Sequence, residues 1–85
     1  MTEERFLEIF EEVEIDYKIG IDSTLEGLKI MSKYSNRAIQ GADHDIIYCE
    51  DIETLIEAGV TEEEVTKLRK YGFMIEDGSY IAHFV

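Results

Sequence analysis

Phe6, Ile9, Phe10 and Val13 stand at the i, i+3, i+4, i+7 spacing that gathers side chains onto one stripe of a helix. Thr2 supplies a capping oxygen, and Glu3 and Glu4 suit the positive end of the helix dipole, so the pattern predicts a helix over about residues 3–14. The period then shortens. Ile15, Tyr17, Ile19 and Ile21 alternate with polar residues or glycine, as in a half-buried strand. Leu25, Leu28, Met31 and Tyr34 return to helical spacing behind Ser23 and Glu26, a capping-box pair, and predict a second helix to about residue 35.

Asn36 to Asp43 reads as a loop, followed by a strand from Asp45 to Cys49. Asp51 caps a short helix that carries Ile52, Leu55 and Ile56 and stops at Gly59. Thr61 and Glu64 form another capping box, with Val65 and Leu68 facing inward until Gly72 ends the helix. Residues 73–76 and 79–85 flank Asp77-Gly78, the signal for a type I′ hairpin turn. A two-residue loop pairs Ile75 with Tyr80 and Phe73 with Ala82. That register puts Phe73, Ile75, Tyr80, Ala82 and Phe84 on the core face and Met74, Ile81, His83 and Val85 on the other. The expected fold is α+β: a small antiparallel sheet, made from the 45–49 strand and the C-terminal hairpin, with about four helices packed mainly on one face.

The chain has 85 residues, room for a single domain over 1–85, and its 45% hydrophobic content is enough to offset the entropy of ordering. Cys49 is the lone cysteine, so no intramolecular disulfide forms and a reducing, cytoplasmic setting is expected. MTEERFLEIFEEVEID has neither the basic nor the apolar region of a signal peptide and reads as mature structure. No apolar run approaches the roughly 18 residues that span a bilayer. A net charge of −12 is repelled by anionic headgroups, so no membrane partner is expected.

Candidate chemistry centres on Asp43-His44-Asp45, because carboxylate and imidazole together bind zinc or iron and histidine titrates near neutral pH. In a strand, however, His44 points away from Asp43 and Asp45, so a metal-dependent enzyme or sensor here needs His83 or Cys49 to arrive from elsewhere. The other reading is a strand-entry turn in which an aspartate accepts backbone N–H bonds. Cys49 and His44, five apart, also fall on opposite strand faces, and neighbouring carboxylates raise a thiol pKa. Gly20 and Gly27 fit no phosphate-binding loop, and no calcium-loop array is present. The order from Asp51 onward resembles a winged helix-turn-helix. Eight acids against Lys67, Arg69 and Lys70, a net −5, oppose direct nucleic-acid binding. No catalytic residue or cofactor is assigned, and a non-enzymatic role is expected.

Charge is segregated along the chain. Residues 1–16 hold seven acids and one base (−6), residues 17–42 two acids and four bases (+2), and residues 43–64 nine acids and no base (−9). One reading is solvated helix faces that keep a small protein soluble. The sharper one is a polyanionic surface that docks on a basic protein and imitates nucleic acid. Glu4, Glu8 and Glu12 form a helical stripe rising about 6 Å per step. Glu50, Asp51, Glu53, Glu57, Glu62, Glu63 and Glu64 continue the negative band.

GADHDIIY, then GVTEE, LRKYGF and the terminal Phe84-Val85 resemble short acidic proteins of phages and other bacterial mobile elements, over about residues 39–85. The resemblance carries no catalytic residues. It implies a mobile-element accessory protein, and small acidic proteins of that origin include inhibitors of nucleic-acid-handling systems such as restriction and CRISPR complexes. The expected partner is therefore a basic bacterial protein, with a housekeeping interaction module as the alternative. SYIAHFV at a sheet edge would offer unpaired backbone, so the expectation is that helix one or the 15–21 strand covers it, or that two copies pair through it in a homodimer with contacts that include Ile81, His83 and Val85.

Overall fold

The computed structural model describes residues 1–18 and 22–84. The chain runs α1 (Glu3–Glu12), α2 (Ser23–Ser32), β1 (Ile39–Asp43), β2 (Ile46–Asp51), α3 (Ile52–Ala58), α4 (Glu62–Lys70), β3 (Met74–Glu76) and β4 (Tyr80–Phe84). The four strands make one antiparallel sheet in the order β1-β2-β4-β3. This is the expected α+β architecture with four helices. Phe6 and Ile9 of α1, Met31 of α2, Leu55 of α3, and Val65 and Leu68 of α4 bury themselves with Cys49, Phe73 and Ile81 in one core. Burial of apolar area of this kind is the main favourable contribution to the fold.

The helix ends follow their caps. Thr2 accepts from the Arg5 N–H, Asp51 from Thr54, and Thr61 and Glu64 exchange the two bonds of a capping box. Gly59 closes α3 at φ +100, a left-handed position where a side chain would be strained. The second helix departs from expectation, since its cap is Asp22, accepting from Leu25 N–H at 3.1 Å, and not Ser23. The carboxylate one residue earlier satisfies the same orphan donors and adds a favourable charge at the dipole's positive end.

The strand expected over 15–21 is absent from its described part. Tyr17 and Lys18 form a turn that the Asp16 carboxylate closes on Lys18 N–H at 3.0 Å, and Tyr17 is exposed. Residues 19–21 lie outside the described residues. Conversely, the expected loop over 36–43 contains β1. Its Gln-Gly-Ala sequence has little β-propensity, but pairing with β2 supplies the backbone partners that local composition does not predict. The second strand also extends to Asp51, past Cys49, through an irregularity between Tyr48 and Asp51.

The C-terminal hairpin has the expected turn with a different register. Asp77 and Gly78 take φ +51 and +65, and Ser79 N–H donates to the Glu76 carbonyl at 3.0 Å. The Ser79 carbonyl then accepts from Ile52 N–H at 2.8 Å, outside the hairpin, and pairing resumes as Glu76↔Tyr80, Ile75↔Ile81 and Met74↔Ala82. This one-residue slip reverses the expected faces of β4, although Ala82, expected to be buried, is buried as well. Ile81 and His83 point into the core, where the His83 ring stacks on Phe73 at 4.4 Å, while Phe84 is 52% exposed.

Nor is β4 an edge. It pairs with β2 on one side and β3 on the other, so the expected dimer through its free backbone has no edge to use, and its expected contacts Ile81 and His83 are buried. Among the described residues no helix is long and apolar enough to cross a membrane.

Candidate functional site

The acidic residues singled out from sequence divide into those the fold consumes and those it leaves facing water. Glu64 belongs to the first group. Its side chain is 11% exposed and accepts from Lys33 Nζ at 2.5 Å, from the Tyr34 hydroxyl, and from Thr61 N–H and Oγ1 at 3.1 and 3.0 Å. Burial opposes its ionisation, yet the bonds from Lys33, Tyr34 and Thr61 prevail and hold the carboxyl at about 2, below the ordinary 4.5. The same contact raises Lys33 and Tyr34 above their usual values, through their hydrogen bonds to Glu64. Glu64 is therefore a clamp between α4 and the end of α2.

Glu50 is half-buried and partly committed. It accepts from Ser35 Oγ at 2.6 Å, from Gln40 Nε2 at 3.3 Å and from the Asp51 N–H at 2.9 Å. Asp51 is exposed but spends one oxygen on the Thr54 N–H at 2.7 Å. Glu63 lies 3.6 Å from Lys67 along α4, a screened surface pair.

The two acidic stretches of sequence meet in the fold at two places along α1. At the first, Arg5 reaches Glu62 at 2.9 Å, Glu12 at 3.7 Å and Glu8 at 3.9 Å. One guanidinium thus gathers three carboxylates from α1 and α4, and its own pKa is raised, chiefly by the hydrogen bond to Glu62. Glu4, Glu53 and Glu57 are exposed, with no hydrogen bond or ion pair among the described residues.

The second meeting point is a concavity of about 480 Å³ where the start of α1 faces the junction of β2 and α3. Glu3, Glu50, Asp51 and Glu53 line it together with the rings of Tyr48 and Tyr80, which meet edge to face at 5.9 Å. No lysine or arginine lines it. Tyr48 of β2 pairs with Ala82 of β4, two residues from Tyr80, and this β2–β4 register is what brings the two rings together. Burial raises the Tyr80 hydroxyl above its usual pKa, helped by the nearby charge of Asp77, so the phenol stays neutral and hydrogen-bonding near pH 7.

Sequence reasoning missed Glu3, Tyr48 and Tyr80. Glu3 reads there only as a favourable charge at a helix start, and the tyrosines become neighbours only through the pairing of β2 with β4, which sets Tyr48 opposite Ala82. No spacing in the sequence signals either.

Asp43 ends β1, and His44 and Asp45 form the turn into β2, with His44 at φ +47 and its side chain 91% exposed, 3.6 Å from Asp43. His83 and Cys49 do not join them. His83 contacts the Gly72 carbonyl at 3.2 Å through Nδ1, and Cys49 is buried in the core, where desolvation pushes its thiol up to about 11. Among the described residues no three histidine, cysteine, aspartate or glutamate side chains are grouped to hold a metal ion. No family model, curated protein or solved structure matches the chain.

Proposed function

We propose that the protein is a non-enzymatic interaction protein that uses its acidic side to bind a basic, nucleic-acid-handling bacterial protein, in the manner of a phage or mobile-element inhibitor of restriction or CRISPR complexes. One observation carries this reading. Acidic stretches separated in sequence by a basic one converge along α1, where Glu8, Glu12 and Glu62 surround one arginine and Glu3, Glu50, Asp51 and Glu53 line one concavity. Charge concentrated in this way attracts a basic surface and speeds encounter with it, and repels nucleic acid itself.

The band that does the binding comprises Glu4, Glu8, Glu12, Glu53, Glu57, Glu62 and Glu63, with Asp51 and Glu50 at the rim and Glu64 removed from it. Mimicry of nucleic acid places these carboxylates against lysines and arginines that otherwise meet phosphates. Affinity capture from bacterial lysate at low and high salt tests the proposal. A basic partner whose retention falls steeply as salt rises is the expected outcome. Recovery of acidic partners alone, or of partners indifferent to salt, defeats it.

A further inference from the structure

We infer that the concavity between α1 and the β2–α3 junction is a pocket for an arginine side chain supplied by the basic partner. The inference rests on the reading above and goes further, to one residue type and one place. Three properties of the pocket select the ligand. It carries four carboxylates, from Glu3, Glu50, Asp51 and Glu53, with no lysine or arginine in its lining, so an anion is repelled and a neutral ligand would desolvate charge without compensation. Two of the acids are held in place: Glu50 by Ser35 and Gln40, Asp51 by the first turn of α3. Glu3 and Glu53 have no hydrogen bond or ion pair among the described residues and are free to close on a ligand.

The aromatic wall narrows the choice. Tyr48 and Tyr80 present π surface within the same concavity, and a cation gains from lying over such a ring. The carboxylates are spread around the pocket, since no three such groups among the described residues converge as metal ligands do. A spread of acceptors beside two tyrosine rings set edge to face at 68° matches a guanidinium, which can lie on the face of one ring and distributes five N–H donors around its edge. An ammonium is a compact point charge that engages fewer of these acceptors at once. The volume of about 480 Å³ admits the side chain together with adjoining backbone of the presenting loop.

The test needs no partner protein. N-acetyl-arginine amide, N-acetyl-lysine amide and the uncharged citrulline amide are titrated at constant ionic strength while the ring signals of Tyr48 and Tyr80 are followed by NMR. The arginine compound should give saturable shifts at both rings, the lysine compound weaker binding, and the citrulline compound none. Glu53→Gln, exposed and without a structural bond, should weaken arginine binding about two- to fivefold without moving the melting temperature. Equal shifts from citrulline, lysine as tight as arginine, or a Glu53→Gln protein that binds arginine unchanged would each overturn the assignment. Failure here and failure of the broader reading are separable. Arginine amide that saturates the pocket while lysate yields no basic partner defeats the broader reading alone. A basic partner captured equally by wild type, Glu53→Gln and Tyr80→Ser defeats the pocket alone.

Discussion

Glu64 and Glu53 belong to the same acidic stretch and carry the same group, yet the fold treats them in opposite ways. Glu64 is enclosed by donors from Lys33, Tyr34 and Thr61 and ties α2 to α4, while Glu53 stands on the exposed face of α3 beside three other carboxylates and no base. The first has its negative charge answered inside the molecule, and the second is left with charge that only an external cation can answer. A count of acids treats both as surface. What separates them is whether another element brings donors within reach, and that depends on tertiary packing.

The sharpest break in this contrast should come from Gly27. A Cβ there would stand 2.1 Å from Phe73 Cε1, so α2 approaches the core only because Gly27 lacks one. Gly27→Ala should push α2 outward, pull Lys33 and Tyr34 from Glu64, and lower unfolding free energy by about 2–4 kcal/mol. Denaturant midpoints would measure the loss, and an unchanged midpoint would show that Phe73 yields without disturbing the clamp.

Glu64→Gln comes next, at about 2 kcal/mol, less than a fully enclosed ion pair because the Lys33 side chain is 60% exposed. Its pH dependence has a definite sign. The folded-state pKa is depressed, so the stabilisation is complete above the ordinary 4.5 and disappears as pH falls toward about 2. The stability gap between wild type and Glu64→Gln should close across that window. A gap that persists at pH 2 would mean that shape and not charge holds the site.

Arg5→Gln should have a smaller effect on stability, confined to low salt, because it frees Glu8, Glu12 and Glu62 on an exposed surface. Its melting temperature should converge with that of wild type as salt rises. Glu53→Gln and Glu3→Gln should be smallest of all, within about 0.5 kcal/mol in either direction. A loss similar to that of Glu64→Gln would show that the rim carboxylates are structural after all.

Much of the local structure was legible in the sequence. The helix period, the caps at Thr2, Asp51 and Thr61, the stop at Gly59 and the Asp77-Gly78 turn are set by residues within a few positions of one another. What escaped depends on distant partners. Ile39 to Asp43 becomes a strand because β2 lies alongside, and the hairpin faces are decided by a bond between Ser79 and Ile52. The acidic residues of the candidate site were named in advance except Glu3, but their division into clamp and rim was not. The sequence marks Glu64 as the capping-box partner of Thr61, whereas its bonds to Lys33 and Tyr34 arise from the packing of α2 on α4, and the aromatic half of the concavity, Tyr48 and Tyr80, gave no sign at all.

Surface turns ordinarily drift in length as proteins diverge, gaining and losing residues at little cost. The turn after Glu76 should be an exception. Ser79 is the extra residue that separates the Asp77-Gly78 turn from the ladder, and its carbonyl is fastened to the first N–H of α3. Deleting it would restore a two-residue loop, rotate the final strand by half a turn, and exchange Ile81 and His83 for Tyr80 and Ala82 against the core. The tolerance of this segment should therefore be inverted, with replacement of the Ser79 side chain nearly silent and a single-codon deletion ruinous. Diverged copies of the gene should conserve the spacing from Glu76 to Tyr80 more strictly than the letters within it.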